Sequence, residues 1–189
     1  MRRIGIVVIT CIVACLFLTI VINVIRSNEA YKVYYWMGKT IKYSKLDHII
    51  VGNVDSLNSP SDYTILSAFD SSGCTQCKLH LELWSHYINE VNRTTGKRIK
   101  LIFITKVYND DDVRIVFQGF KKFFVINTIR ESISSLSKIP FSPPFNTVLL
   151  DKDDKIISIG NPLINNKVKN NYYVEFLRNG STNASSQLP

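Results

Sequence analysis

The sequence predicts an α/β protein in which helices pack on a central mixed β-sheet, preceded by one N-terminal helix long enough to span a membrane. Three observations lead to this prediction. From residue 63 onward, apolar β-prone runs alternate with segments of helical periodicity. A pair of short apolar runs around a polar turn predicts a β-hairpin near the end of the chain. Residues 4–25 form an uncharged, mainly apolar stretch.

Composition narrows the class of protein. The 189 residues suffice for one domain of common size with an appendage. Hydrophobic residues make up 46% and charged residues 20%, which excludes a disordered protein. The net charge of +8 suits anionic lipid or nucleic acid. Because the basic residues are scattered without interleaved aromatic residues, no nucleic-acid partner is expected.

The N-terminal segment, residues 1–26, is predicted to be an uncleaved signal anchor. Its apolar run over 4–25 follows a basic start and exceeds the ~20 residues that a membrane helix needs. The lipid bilayer is therefore the expected partner of this run. An alternative is a lipoprotein signal, because Ile12-Val13-Ala14-Cys15 resembles a lipobox in which Cys15 would be lipidated. The mostly apolar residues that continue after Cys15 favour the anchor.

The expected topology is a single pass through the cell membrane, with the soluble domain on the extracytoplasmic, periplasmic side. Counted literally, the positive-inside rule favours the opposite orientation, because more basic residues follow the apolar run than precede it. Long domains, however, translocate largely regardless of charge, and a short basic start usually stays inside.

Three segments are expected after the anchor. Residues 27–62 are a polar, aromatic juxtamembrane segment with a short strand or hairpin that includes Ile49-Ile50-Val51. Residues 63–178 form the α/β domain, and residues 179–189 a flexible tail. The domain opens with a strand at 63–69 and a turn at 70–73. A helix from Cys74 to about Val91 follows, with an apolar face made of Leu79, Leu81, Leu83, Trp84, Tyr87, Ile88 and Val91.

The second half of the domain continues the alternation. A strand is predicted at 100–107, and the polar residues 109–112 are predicted to cap a helix that carries Val113, Ile115, Val116 and Phe120. A short edge strand is expected at 123–126 and a helical turn at 131–136. The hairpin joins 145–150 to 155–159, and a last helix at 166–178 buries Val168, Tyr172 and Phe176, with Gly180 as its stop.

Cys74-Thr75-Gln76-Cys77 is the strongest chemical signal in the chain. Its place between a strand and a helix puts Cys74 at a helix start, where free N–H groups and partial positive charge stabilise a thiolate. Cys77, three residues on, lies on the same helix face and can resolve a mixed disulfide. A disulfide closing so short a loop stabilises a fold little, so the pair indicates redox chemistry.

Residues 69–78, Phe-Asp-Ser-Ser-Gly-Cys-Thr-Gln-Cys-Lys, resemble the thioredoxin active-site segment. More closely, the chain resembles the membrane-anchored thioredoxin-like proteins of bacterial envelopes, the TlpA, ResA and redoxin-like group. The resemblance covers about residues 36–178 and includes Trp36-Met37-Gly38-Lys39 as the entry to the domain and residues 147–160 as the C-terminal hairpin. It implies a thioredoxin-like fold with catalytic Cys74 and Cys77.

Three positions depart from the family pattern. Gly73 stands where the family usually has Trp before the first cysteine. Phe145 aligns with the usual cis-proline, and Pro144 lies one residue earlier, so Pro144 and Phe145 are the candidate substrate loop. His80 occupies a position that often holds Glu in envelope relatives. His80 is therefore either a proton shuttle to Cys77 or a partly exposed helix histidine.

The expected function is that of a membrane-tethered thiol–disulfide oxidoreductase that reduces disulfides of envelope proteins. Its expected partners are protein disulfide or dithiol substrates and a membrane or envelope electron donor. No cofactor or metal is expected, because nucleotide motifs are missing and His48, His80 and His86 lack zinc-site spacing. The alternatives are a module of the same fold that captures a partner or copper without turnover, and a thiol peroxidase.

Overall fold

The described part of the chain comprises two units. A computed structural model describes residues 2–41, 49–69, 80–106, 109–120, 123–127 and 145–178. The chain divides into Met1–Trp36 and Met37–Pro189. Cys74, Cys77, Pro144, the helical turn expected at 131–136 and the tail expected at 179–189 lie outside the described residues.

Helix α1 runs over Arg2–Trp36 and makes up the first unit. Large apolar side chains between Ile12 and Val24 are 37–68% exposed, and the hydroxyl of Thr19 donates to the carbonyl of Leu16 at 2.8 Å. The helix continues through residues 27–36, which the sequence suggested as a separate polar, aromatic segment. Within the described residues, no helix is both long enough and apolar enough to cross a membrane.

A six-stranded mixed sheet organises the second unit, in the order β1-β4-β3-β2-β5-β6. Strands β2, β3 and β4 are parallel, whereas β1, β5 and β6 run antiparallel to their neighbours. The predicted central mixed sheet is therefore confirmed. The strands are β1 (Ile49–Val51), β2 (Tyr63–Ala68), β3 (Ile99–Thr105), β4 (Phe124–Asn127), β5 (Thr147–Leu150) and β6 (Ile156–Ile159).

Strand β4 is not the edge strand that the sequence suggested. Strand β1 pairs antiparallel with it, with Ile49 opposite Ile126, and so occupies the edge position. The pairing joins segments more than 70 residues apart, and local sequence pattern does not reveal such a partner. Val125 and Ile126 are accordingly fully buried.

Four helices accompany the sheet in the described part of the second unit: α2 (Val54–Leu57), α3 (Leu81–Thr95), α4 (Asp110–Val116) and α5 (Asn166–Arg178). Asn109 caps α4 by accepting the N–H of Asp111, as predicted. Helix α5 has the predicted limits and buries Tyr172 and Phe176. In α4, Val113 is buried and Ile115 is 70% exposed.

The helix predicted from Cys74 to about Val91 is interrupted at His80 and extends four residues further than predicted, while its expected start at Cys74 lies outside the described residues. His80 has φ 47° and ψ 43°, a left-handed conformation that a right-handed helix cannot contain, so α3 begins at Leu81. The helix continues to Thr95 and ends at Gly96, whose φ is 68°. Leu83, expected on the apolar face, is 54% exposed. The other predicted face residues described are buried: Leu81, Trp84, Tyr87, Ile88 and Val91.

The predicted hairpin is confirmed by β5 and β6. The carboxylate of Asp151 accepts the N–H groups of Asp153 and Lys155, which closes the turn. Residues 38–41 then cover the outer edge of β6: the N–H of Gly38 donates to the carbonyl of Ile156 at 2.8 Å. A covered edge cannot pair with another chain, which is one way proteins prevent aggregation.

Phe103 of β3 lies at the centre of the aromatic core. Its ring centroid is 5.3 Å from that of Phe117, 5.8 Å from Phe123, 6.1 Å from Phe69 and 6.4 Å from Trp84. All four pairs are close to edge-to-face, the arrangement that aromatic rings prefer. Phe69, which follows β2, is thereby packed into the core of the domain.

Lys100 is a buried charge at the other end of β3. Its ammonium donates to the carbonyls of Leu57 and Ser59, at the end of α2. Burial lowers the pKa of Lys100, and the negative charge of Asp154 opposes that shift. The two bonds hold α2 against the amino end of the sheet.

Candidate active site

The edge of the sheet that is formed by the carboxyl ends of β2 and β3 has the features expected of a ligand-binding site. Because β2 and β3 are parallel, their carboxyl ends lie at the same edge, and Phe69 and Lys106 leave the sheet there. In open α/β sheets, ligands bind outside the carboxyl ends of the strands. Cys74 comes five residues after Phe69 in the sequence. The segment with both cysteines thus starts from the end of the central strand, although residues 70–79 themselves lie outside the described part.

The amino end of β5 lies at this same edge because β5 runs antiparallel to β2. The N–H of Ala68 donates to the carbonyl of Asn146 at 2.7 Å, and the Asn146 Nδ2 donates back to the carbonyl of Ala68 at 3.3 Å. Phe145, half-buried, directly precedes Asn146. Of the predicted substrate loop, Phe145 is therefore beside the end of β2, while Pro144 lies outside the described residues.

A buried pair of hydroxyl groups lies one residue further into the sheet. Ser67 Oγ and Thr147 Oγ1 are 3.0 Å apart, and the two residues are 5% and 0% exposed. They face each other directly across β2 and β5. Ser67, Thr147 and Asn146 are not among the predicted site residues, although polar residues within two otherwise apolar runs are a signal that could have identified them.

His80 directly precedes α3, as its N-cap residue, and is exposed. Its carbonyl accepts the N–H of Trp84 at 3.0 Å, and its side chain makes no capping hydrogen bond. It is therefore not a residue within the helix, as one of the two interpretations supposed. Because Cys77 lies outside the described residues, the role of His80 as a proton shuttle stays a prediction.

Shifted tyrosine pKa values occur away from this edge, between α3 and α5. Burial raises the pKa of Tyr87, Tyr172 and Tyr173, and the charge of Glu90 adds to the increase at Tyr87 and Tyr173. No group of three or more side chains suited to a metal ion occurs among the described residues.

Comparisons with known proteins agree with this architecture. No protein-family model and no curated protein matches the chain. A putative electron transfer protein from Aquifex aeolicus VF5 has a TM-score of 0.50 at 16% identity, covering 79% of this chain and 99% of that one. Yeast Sco1 has a TM-score of 0.49 at 14% identity, covering 66% and 88%. A putative thiol:disulfide interchange protein DsbE from Chlorobium tepidum has a TM-score of 0.49 at 13% identity, covering 74% and 97%.

The Aquifex aeolicus structure, with its TM-score of 0.50, indicates a similar fold, and its 16% identity indicates nothing about activity. The order and directions of the strands support the fold independently of these comparisons: β2 and β3 are parallel at the centre of the sheet, and an antiparallel hairpin lies beside β2. The chain has a thioredoxin-like α/β fold with a mixed central sheet.

Proposed function

We propose that the protein is a thiol–disulfide oxidoreductase that uses Cys74 and Cys77. The observation that carries the proposal is the carboxyl edge of β2, where Ala68 is bonded to Asn146 at the start of β5. The Cys-x-x-Cys motif begins five residues after Phe69, and the predicted substrate loop at Pro144 and Phe145 comes just before β5. A dithiol and a peptide-binding segment would thus share one edge of the sheet.

The proposed reaction is the reduction of a disulfide in an envelope protein. The Cys74 thiolate attacks one sulfur of the substrate disulfide and forms a mixed disulfide, and the other substrate sulfur leaves as a thiolate that takes up a proton. The Cys77 thiolate then attacks Cys74, which releases the second substrate thiol and leaves a Cys74–Cys77 disulfide. Two electrons have passed to the substrate, and a dithiol donor in the membrane or envelope restores the pair.

Tethering to the cell membrane through α1 is part of this proposal. It rests on the sequence and not on α1 as the structure describes it, because the uncharged run over residues 4–25 has the length of ~20 residues that a membrane helix needs. The proposed orientation places the second unit on the extracytoplasmic side, where disulfides form and persist. A tether would keep the dithiol near envelope substrates and near a membrane donor.

A redox titration of the full chain in detergent tests the function. The starting protein carries Cys11→Ser and Cys15→Ser, which remove the two exposed cysteines of α1 from the thiol count. In dithiothreitol or glutathione buffers, mass-tagged alkylation should then show a reversible two-electron transition. Either Cys74→Ser or Cys77→Ser should abolish the transition, because each leaves one thiol without its partner.

Four outcomes would contradict the proposal. Thiols that stay unpaired over the whole range of buffers, or that pair only between molecules, would rule out a working dithiol. Stoichiometric binding of Cu(I) at these thiols without turnover would indicate copper capture, and rapid consumption of hydrogen peroxide by the reduced protein would indicate a peroxidase.

A further inference from the structure

Three polar side chains link β2 and β5 at the candidate site. One arrangement of hydrogens satisfies them in series: Ser67 donates to Thr147 at 3.0 Å, and Thr147 donates to Asn146 Oδ1 at 3.5 Å. The amide of Asn146 then donates to the carbonyl of Ala68 at 3.3 Å, back on β2. The series starts and ends on β2 and passes through Thr147, the first residue of β5, and Asn146, which directly precedes that strand.

Burial makes this polar series noteworthy. The next residue into the sheet on each strand, Leu66 on β2 and Val148 on β5, is apolar and 0% exposed. A buried hydroxyl costs stability unless it is hydrogen-bonded, so an apolar pair such as Ala and Val would serve a sheet that needed only packing. Side-chain hydrogen bonds add a directional constraint that apolar packing lacks, and they fix how the two strand ends sit against each other.

We propose that Ser67, Thr147 and Asn146 are positioning residues that hold the start of β5 against the end of β2, so that a protein disulfide is received in the geometry that exchange requires. The inference rests on the proposed function. A protein substrate would contact both the dithiol segment after β2 and the loop before β5, and its rate would depend on their separation. A small disulfide, which meets only the attacking sulfur, would not depend on it.

The contrast between two disulfides tests the inference. The fully reduced full chain with Cys11→Ser and Cys15→Ser is mixed in single turnovers with insulin or with 5,5′-dithiobis(2-nitrobenzoic acid). We expect Ser67→Ala and Thr147→Val each to slow exchange with insulin about tenfold, because misplacement of reacting groups is costly. Exchange with the small disulfide should stay within about twofold of the parent. The double variant should be no slower than either single one, because the two hydroxyls act as one pair.

Thr64→Val is the matched control. Thr64 is on the same strand and 2% exposed, and its hydroxyl is 3.3 Å from that of Ser61, but it lies at the amino end of β2. The Thr64→Val variant should exchange with insulin and with the small disulfide at the same rates as the parent. If a buried substitution prevents folding, Asn146→Ala replaces it, since Asn146 is half-buried and loses only its side-chain bonds. This variant should show the same selective loss.

The remaining outcomes overturn the inference. Equal slowing with both disulfides, equal slowing in Thr64→Val, or no slowing in any variant would show that these groups only stabilise the sheet. In those cases the parent still exchanges with both disulfides, and the proposed function stands. A parent protein that exchanges with neither disulfide would overturn the proposed function and this inference with it.

Discussion

Tyr87 is a residue whose hydroxyl is buried without a hydrogen-bond partner among the described residues. It is 3% exposed, and its ring packs against Trp84 and Tyr173. Tyr63 makes the opposite case within the same core, because its hydroxyl donates to the carbonyl of Glu175 at 2.7 Å. The two residues thus allow one chemical change to be compared in two environments.

We expect Tyr87→Phe to raise the free energy of unfolding by about 1 kcal/mol, since it removes a buried polar group that has no partner. Tyr63→Phe should lower the free energy of unfolding by about 1 kcal/mol, because it removes the hydrogen bond to the carbonyl of Glu175. Urea unfolding at pH 7 measures both. A loss of stability in Tyr87→Phe comparable to that in Tyr63→Phe would show that the hydroxyl of Tyr87 does have a hydrogen-bond partner.

The stability of Tyr87→Phe should also depend on pH differently from that of the parent protein. Burial raises the pKa of Tyr87 above its ordinary value of 10.0. The unfolded chain therefore releases the phenol proton first, so ionisation of Tyr87 leaves the free energy of unfolding unchanged below pH 10 and lowers it as the pH rises from 10 towards the folded pKa. Tyr87→Phe should lose stability less steeply than the parent above pH 10. If the free energy of unfolding falls equally steeply with pH in the two proteins, the pKa of Tyr87 is not raised.

At the scale of elements, Gly160 joins β6 to α5. Its φ is 123°, which favours glycine, and a Cβ built on it would lie 2.8 Å from Val168 Cγ2. Its N–H donates to the carbonyl of Thr147, and its carbonyl accepts the hydroxyl of Tyr172. One residue thus connects β5, β6 and α5, and its lack of a side chain permits the close approach of the helix.

Gly160→Ala should therefore lower the free energy of unfolding by ~1–3 kcal/mol, from backbone strain and overpacking. Gly119→Ala is the control, because no atom lies within 4 Å of its added Cβ and its φ is not in the left-handed region. It should change stability by less than ~0.5 kcal/mol. Val168→Ala should recover part of the loss in Gly160→Ala, and a failure to do so would point to strain alone.

At the scale of the whole molecule, the two units differ in what surrounds their apolar residues. Apolar side chains of α1 are exposed from Ile12 to Val24, whereas those of the second unit fill its own core, as at Phe103 and Val125. A bilayer around α1 would remove that apolar surface from water. This difference is the physical basis for proposing that the first unit is the tether.

Membrane attachment of the full chain tests that proposal. We expect the parent protein to stay with the membranes of expressing cells through an alkaline carbonate wash. Leu16→Arg combined with Leu18→Arg should release most of it, since each charge at a helix centre costs ~2.5–3.5 kcal/mol. Tyr34→Arg combined with Tyr35→Arg, both exposed and outside the apolar run, should leave attachment unchanged. Release of the parent by the same wash would contradict the tether.

Periodicity and turn chemistry, read from the sequence, predicted much of the fold. The limits of α5, the β5–β6 hairpin and the cap at Asn109 were all predicted, because each depends on residues close together in the chain. The start of α3 was not predicted. The left-handed conformation of His80 leaves no mark in the apolar spacing around it, and Leu83 satisfies that spacing although it faces solvent.

By itself, the sequence determined the class of the domain and the chemistry to look for, since a Cys-x-x-Cys motif between a strand and a helix is a local pattern. The tertiary structure alone decided which strand lies at the edge and which residues meet at the end of β2. Ser67 and Thr147 are 80 residues apart in the sequence, and β1 and β4 are separated by a similar distance. No local sequence pattern links the two members of either pair. Such partners are selected by the burial of whole strands, a property of the sheet and not of any segment.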